Sequence, residues 1–190
     1  MENYYQNKSG LIPFLEEKAL WARKEMLNIH GIAPGTRVAS CLSDIEIFVA
    51  LYYGGILKFN PKNINWEERD RFIISKGHGA ISLYPILADL GFFDKNELTK
   101  ISQKEALLGD IPDNRIPGFE TINGALGHGL GVACGMALAL KKKKLDSKVF
   151  VLMGDGELYE GAVWEAMMLA GQYKLNNLIL IIDNNKISML

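Results

Sequence analysis

Two short apolar runs constrain the fold of this chain more than anything else in it: Val149-Phe150-Val151-Leu152-Met153 and Leu178-Ile179-Leu180-Ile181-Ile182. Neither alternates polar with apolar residues, so neither suits a strand with one wet face. Both suit strands of a parallel sheet buried on its two faces. A helix-length segment, 161–173, lies between them and completes a βαβ unit. Each run ends in polar residues: Gly154-Asp155-Gly156 follows the first and Asn184-Asn185 the second, with Asp155 and Asn185 thirty positions apart. Ligands of open α/β sheets bind at the carboxyl ends of the strands, which is where this Asp and Asn are presented. Mg²⁺ takes oxygen ligands and keeps places for water and substrate phosphates, and Ca²⁺ is similarly oxygen-seeking. The pair therefore suits a metal–diphosphate. A plainer reading stays open, in which Asp155 caps a helix and the two asparagines form a turn.

The remaining elements follow from periodicity and punctuation. Leu15, Ala19, Ala22, Met26 and Ile29 fall at helical spacing and predict an amphipathic helix over 11–31. A loop with Pro34 and Gly35 follows, and Ser43-Asp44 offers an N-cap for an apolar helix Ile45–Leu57. A strand is expected at Arg71–Ser75 and a helix at Ala80–Leu90, ended by Gly91. Residues 105–123, rich in Gly, Pro, Asp and Asn, form a long loop of the kind that is often functional. A helix of small residues follows at Leu126–Leu140. The class is α/β, a three-layer α/β/α arrangement around a mainly parallel sheet. No repeat or Ser/Gly linker divides the chain, so residues 1–190 read as a single domain.

Composition narrows the partners. A net charge of −1 gives no reason to expect nucleic acid or an anionic membrane. The basic run Lys141–Lys144 closes a predicted helix, where lysines favour the negative end of the dipole. No apolar run approaches the roughly 20 residues of a membrane span, and the N-terminus lacks a signal-peptide core. Cys41 and Cys134 have no metal-ligand spacing and read as buried free thiols. A cytoplasmic location is expected from that usage.

Three segments, in chain order, resemble the transketolase family of thiamine-diphosphate enzymes. Arg69-Asp70-Arg71-Phe72-Ile73-Ile74-Ser75-Lys76-Gly77-His78 is similar to the family's "DRFxLSxGH" segment. Pro117–Gly129 is similar to its "PGxExTTGxLGxG" segment, and GDGELYEG followed by DNNKIS to its diphosphate-binding half. The resemblance implies a thiamine-diphosphate-binding fold, here its diphosphate-binding domain, with thiamine diphosphate and Mg²⁺ (or Ca²⁺) as cofactors. It assigns the metal to Asp155, Asn185 and the backbone carbonyl of Ile187, with two diphosphate oxygens and a water completing an octahedron. It places His78 on the diphosphate, Gly124, Leu126 and Gly127 along the aminopyrimidine and thiazolium, and Gly156, Glu157 and Asn185 among the cofactor contacts. Glu160 and His128 are the implied catalytic residues. Glu160 and Glu165 match acidic residues shared between subunits, where paired carboxylates hold raised pKa values.

The residues themselves add to this. Gly156 permits close backbone approach to a diphosphate, and a helix starting near Glu160 would aim its amides at that anion. The third glycine of a dinucleotide fingerprint is missing, which argues against a Rossmann NAD site. Simpler roles remain open: His78 as a surface-loop histidine, and the two glutamates as exposed helix-start acids favoured by the dipole. His30 reads as a helix-end residue.

The match fails where substrate would be handled. The family's early "SGHPGGSLS" segment appears as Gly35–Ser43, so Arg37 replaces a histidine that moves sugar-hydroxyl protons; a second histidine, expected near Ile111-Pro112, is also missing. A guanidinium cannot serve as a general base near neutral pH, though it can hold a carboxylate or phosphate. The glutamate that drives cofactor activation lies, in this family, on a second domain absent here. The resemblance therefore implies one subunit of a two-component transketolase-like enzyme, active only with a partner carrying the pyrimidine-binding domain, in an α₂β₂ assembly. It would move a two-carbon ketol unit between sugars, one of them branched or otherwise non-standard. Another thiamine-diphosphate activity (deoxyxylulose-phosphate synthesis, or that of an oxo-acid dehydrogenase alpha chain) and a non-catalytic cofactor-binding paralogue are the alternatives. The sequence stops soon after the second metal motif, so the domain reads as incomplete at its C-terminus or completed by a partner.

Overall fold

A computed structural model describes residues 8–187, so Ser188 of the DNNKIS segment and Leu190 lie outside the described residues. Three strands form one parallel sheet in the order β1 (Arg71–Ile74), β2 (Val149–Gly154), β3 (Leu178–Asp183). Ile74 is opposite Leu152, Leu152 opposite Ile181 and Gly154 opposite Asp183, so the strands finish nearly level at their carboxyl ends. Ser75 continues the ladder, its N–H donating to the Leu152 carbonyl at 2.8 Å. That alignment delivers Ser75–Gly77, Asp155–Gly156 and Asn184–Asn185 to one edge.

The apolar runs form strands because both faces are buried. Ile73, Val149, Val151 and Met153 pack with Ala133, Cys134, Ala137 and Leu140 of α5 (His128–Lys142) and with Val163 and Ala166 of α6 (Gly161–Gln172). On the opposite face Phe72, Ile74, Phe150 and Leu152 are buried as well. Small residues let α5 sit close to the sheet. A Cβ on Gly129 would lie 2.5 Å from the Ser75 hydroxyl and 2.8 Å from its Cα, so only glycine permits this approach. Both cysteines are buried thiols outside any disulfide, and burial raises the Cys134 thiol pKa.

The chain divides into two compact units, each interrupted in sequence: one runs up to Lys62 and takes in His78–Asp110, the other holds Asn63–Gly77 and everything from Ile111 onward. The sheet, α5 and α6 belong to the second. In the first, α1 (Lys8–Ile32) packs on α2 (Val38–Ser43), α3 (Ile45–Tyr53) and α4 (Leu83–Leu90) around buried Met26, Ile29, Phe48, Tyr84 and Leu87. Asp89 of α4 ties these helices together: it accepts from Lys18 Nζ at 2.7 Å, the Tyr53 hydroxyl at 2.8 Å and Lys95 Nζ at 3.0 Å.

The α/β class and parallel sheet are as the sequence predicts; several boundaries are not. The extra helix α2 stands where no element is expected. Asp44 occupies the N-cap position of α3, but its buried carboxylate makes no capping bond. That helix stops at Tyr53, before the Gly54-Gly55 pair, and not at Leu57. A 3₁₀ turn, Gly77–Ser82, replaces the start of the helix expected from Ala80. The small-residue helix begins at His128 and not at Leu126, because Gly127 adopts a left-handed conformation with φ of 83° that no helix interior accommodates. Among the described residues, no helix is long and apolar enough to cross a membrane.

Candidate functional site

The loops after β2 and β3 are bonded to each other. The Asp155 N–H donates to the Asp183 carbonyl at 3.1 Å, and Asp155 Oδ2 accepts from the Lys186 N–H at 2.9 Å. Asp155 Oδ1 accepts from Gly156 N–H at 3.0 Å, and Asn185 Oδ1 from Ile187 N–H at 2.9 Å. The plainer reading is thus locally correct: Asp155 caps a 3₁₀ turn, Gly156–Tyr159, and Asn185 makes an Asx turn. The same bonds bring the two oxygen-bearing side chains into one loop cluster. The amides that directly follow Asp155 belong to this 3₁₀ turn. Glu160 is extended at the N-cap of α6, which begins at Gly161, where the sequence places the helix start.

This donor set fits a hard cation. It offers one carboxylate, one amide oxygen and the carbonyl of exposed Ile187 at a glycine-flanked edge, leaving positions for water and phosphate oxygens. Among the described residues no three His, Cys, Asp or Glu side chains converge on a metal position.

A second cluster joins the loop before α5 to the same edge. Glu157 is 2% exposed. Its Oε1 accepts from the Ser75 hydroxyl at 2.5 Å and from Gly127 N–H at 2.7 Å, and its Oε2 from Gly154 N–H at 3.3 Å. The Ser75 oxygen in turn accepts from Gly129 N–H at 3.1 Å. The Glu157 carboxylate is therefore turned into the protein. A Cβ on Gly127 would lie 2.6 Å from Glu160 Cβ, which places Glu160 directly against that glycine. Gly124, Leu126, His128 and Glu160 are all exposed, and nothing lies within 4 Å of a Cβ built on Gly124. Glu165 is exposed on α6 beside Trp164.

One charged pair at this edge escaped the sequence reading. Lys76 and Asp183, 4% and 8% exposed, meet at 2.5 Å between Nζ and Oδ2. Asp183 Oδ2 also accepts from Asn185 Nδ2 at 3.4 Å. The available signal was a lysine directly after one buried strand and an aspartate closing another. Nearby, Arg69 forks onto Glu120, fixing the start of β1 to the Pro117–Glu120 segment.

His78 and Arg37 belong to the other unit. The half-buried His78 has its carbonyl 3.7 Å from Cys41 Sγ, which donates to it. Arg37 is exposed at the N-cap position of α2, where its side chain caps nothing. An apolar recess of about 440 Å³, lined by Leu130, Met167, Ala170, Leu175, Leu178 and Leu180 among others, includes none of the candidate residues.

Comparison with known proteins agrees with these motifs. Residues 33–189 match the family described as transketolase, thiamine diphosphate binding domain. A subunit of the apulose-4-phosphate transketolase of Actinobacillus succinogenes is 42% identical over 177 residues, covering 92% of this chain and 64% of that protein. A subunit of the 6-deoxy-6-sulfo-D-fructose transketolase of a Clostridium species is 38% identical over 176 residues, again 92% of this chain and 64% of the relative. The chain thus spans less than two thirds of the length of the curated relatives it matches. The crystal structure of transketolase from Campylobacter jejuni superposes with a TM-score of 0.85 at 36% identity, covering 92% of this chain and 28% of that one. With its parallel sheet, its paired strand-end motifs and these matches, the chain belongs to the transketolase family and carries that family's thiamine diphosphate binding domain.

Proposed function

We propose that this chain is the thiamine-diphosphate- and Mg²⁺-binding component of a two-component, transketolase-like enzyme that transfers a two-carbon ketol unit between sugars in the cytoplasm. The observation that carries the reading is the bonded loop pair at the carboxyl ends of β2 and β3, which presents Asp155 and Asn185 together. In the proposal Asp155, Asn185 and the Ile187 carbonyl hold the cation, and Gly156 leaves room for the diphosphate. His78, Gly124, Leu126 and Gly127 line the rest of the cofactor, which supplies the carbanion chemistry once bound. Glu157, its oxygens committed to protein donors, serves this site from behind.

Glu160 and His128 are proposed as the groups that handle protons, Glu160 where two subunits meet. The outer side of α6 supports an interface there: Trp164 and Met168 are 57% and 68% exposed beside Glu165. The second subunit would carry the pyrimidine-binding domain, in an α₂β₂ assembly, since the relatives named above are themselves subunits. Their names specify a phosphorylated and a sulfonated sugar. The exposed guanidinium of Arg37 suits such an anionic group better than it suits proton transfer.

The test is calorimetric titration of the full-length protein, assembled with its partner, with Mg²⁺ and thiamine diphosphate. Asp155→Ala is expected to weaken binding more than tenfold; a smaller change removes Asp155 from the metal. The same preparation without the partner subunit is expected to show no ketol transfer, and turnover in its absence refutes the two-component reading.

A further inference from the structure

We propose that Glu157 is a positioning residue: a buried carboxylate latch that sets the spacing between the two cofactor loops, so that ring and diphosphate of one thiamine diphosphate are gripped together. The proposal rests on the cofactor reading above. Glu157 draws donors from three separate chain segments: the Ser75 hydroxyl after β1, the Gly127 amide before α5 and the Gly154 amide at the end of β2. Through the Ser75 oxygen the connection passes on to Gly129 in the first turn of α5.

Two features separate a latch from ordinary core packing. The first is chemical type. A carboxylate only accepts, and every group facing this one donates, whereas an amide in its place would set an N–H₂ against N–H donors. Burying such a charge is costly, and charge-assisted hydrogen bonds offset the cost only in one fixed geometry. The second is the asymmetry of what it joins. The diphosphate side is held without Glu157, because Gly154 pairs with Asp183 in the sheet and Asp155 bonds to Asp183 and Lys186. The ring side has no sheet pairing of its own: Asn123 Nδ2 donates to the Ile74 carbonyl at 2.9 Å just ahead of it, and Gly124–Gly127 then closes a segment, running from Ile101, that contains neither helix nor strand. Its Gly127 amide ends on Glu157 at 2.7 Å, the shorter of the latch's two backbone bonds.

The prediction concerns a ratio. In the assembled full-length enzyme, affinities are measured by calorimetry for two probes, Mg²⁺ with thiamine diphosphate and Mg²⁺ with inorganic pyrophosphate. Glu157→Gln is expected to weaken thiamine diphosphate binding tenfold or more while changing pyrophosphate binding less than threefold. Ser75→Ala, which removes one of the three donors, shifts the ratio the same way by about threefold, and it carries the test if Glu157→Gln does not fold. Equal weakening of both probes, or of neither, overturns the latch while the cofactor site stands. A wild-type enzyme that binds neither probe overturns the cofactor reading and the latch with it.

Discussion

Lys76 shows how much of this edge depends on single charges. Its ammonium and the Asp183 carboxylate are both buried and pair with each other, which offsets part of the cost of burying them. Lys76→Met keeps the stem that passes over Gly154 and removes the ammonium that faces the buried Asp183 carboxylate next to the proposed metal loop. Loss of one partner of such a pair costs about 3–5 kcal/mol, and replacing both recovers part of it. Urea unfolding of Lys76→Met and of the double variant with Asp183→Asn checks this: the double variant is expected to be the more stable of the two. The motif residues Asp155 and Asn185 were legible because they follow apolar runs directly. Lys76 and Asp183 stand at equivalent places, yet nothing in one dimension says that two strand ends share a register.

At the scale of elements, legibility followed length and burial. Strands β2 and β3 and helix α6 were found almost to the residue, because unbroken apolar runs with a helix between them leave few other arrangements. The six-residue α2 and the 3₁₀ turns went unseen, since so few residues carry no periodicity. The Asp89 clamp was equally hidden, joining α1, α3 and α4 through partners 36 and 71 positions away. Partial burial disfavours its charge, but the bonds from Lys18, Lys95 and Tyr53 outweigh this and lower the carboxyl from 3.8 to about 2. The folded-state pKa is the depressed one, so the clamp's stabilisation is fully present above about pH 4 and is lost as pH falls toward 2. Asp89→Asn is expected to cost about 2 kcal/mol at neutral pH, from weakened charge-assisted bonds. It should also flatten the wild-type decline in melting temperature below pH 4, as differential scanning calorimetry would show.

For the molecule as a whole, the exposed side of α6 is where the proposed assembly is most open to challenge. Trp164 is anchored by its indole N–H to the Leu158 carbonyl at 2.9 Å yet remains more than half exposed, a rigid aromatic suited to a central place in an interface. Trp164→Ala is expected to weaken the association of subunits by about 2 kcal/mol, roughly thirtyfold in dissociation constant. Sedimentation across a concentration series measures this; an unchanged constant removes α6 from the interface. The topology that brings the strand ends level also orders the chain's assembly in time. The two strand-end motifs at Asp155 and Asn185, thirty positions apart, are joined through α6 alone, whereas the bond from Ser75 to Glu157 closes a loop of 82 residues. Chain entropy makes the longer closure about 1 kcal/mol dearer. The proposed diphosphate half of the edge therefore has the cheaper closure, and the proposed ring half, which needs β1, the dearer one. In refolding of the complete chain, the proposed grip on a phosphate is expected to form before the contacts that would tell one phosphate ester from another.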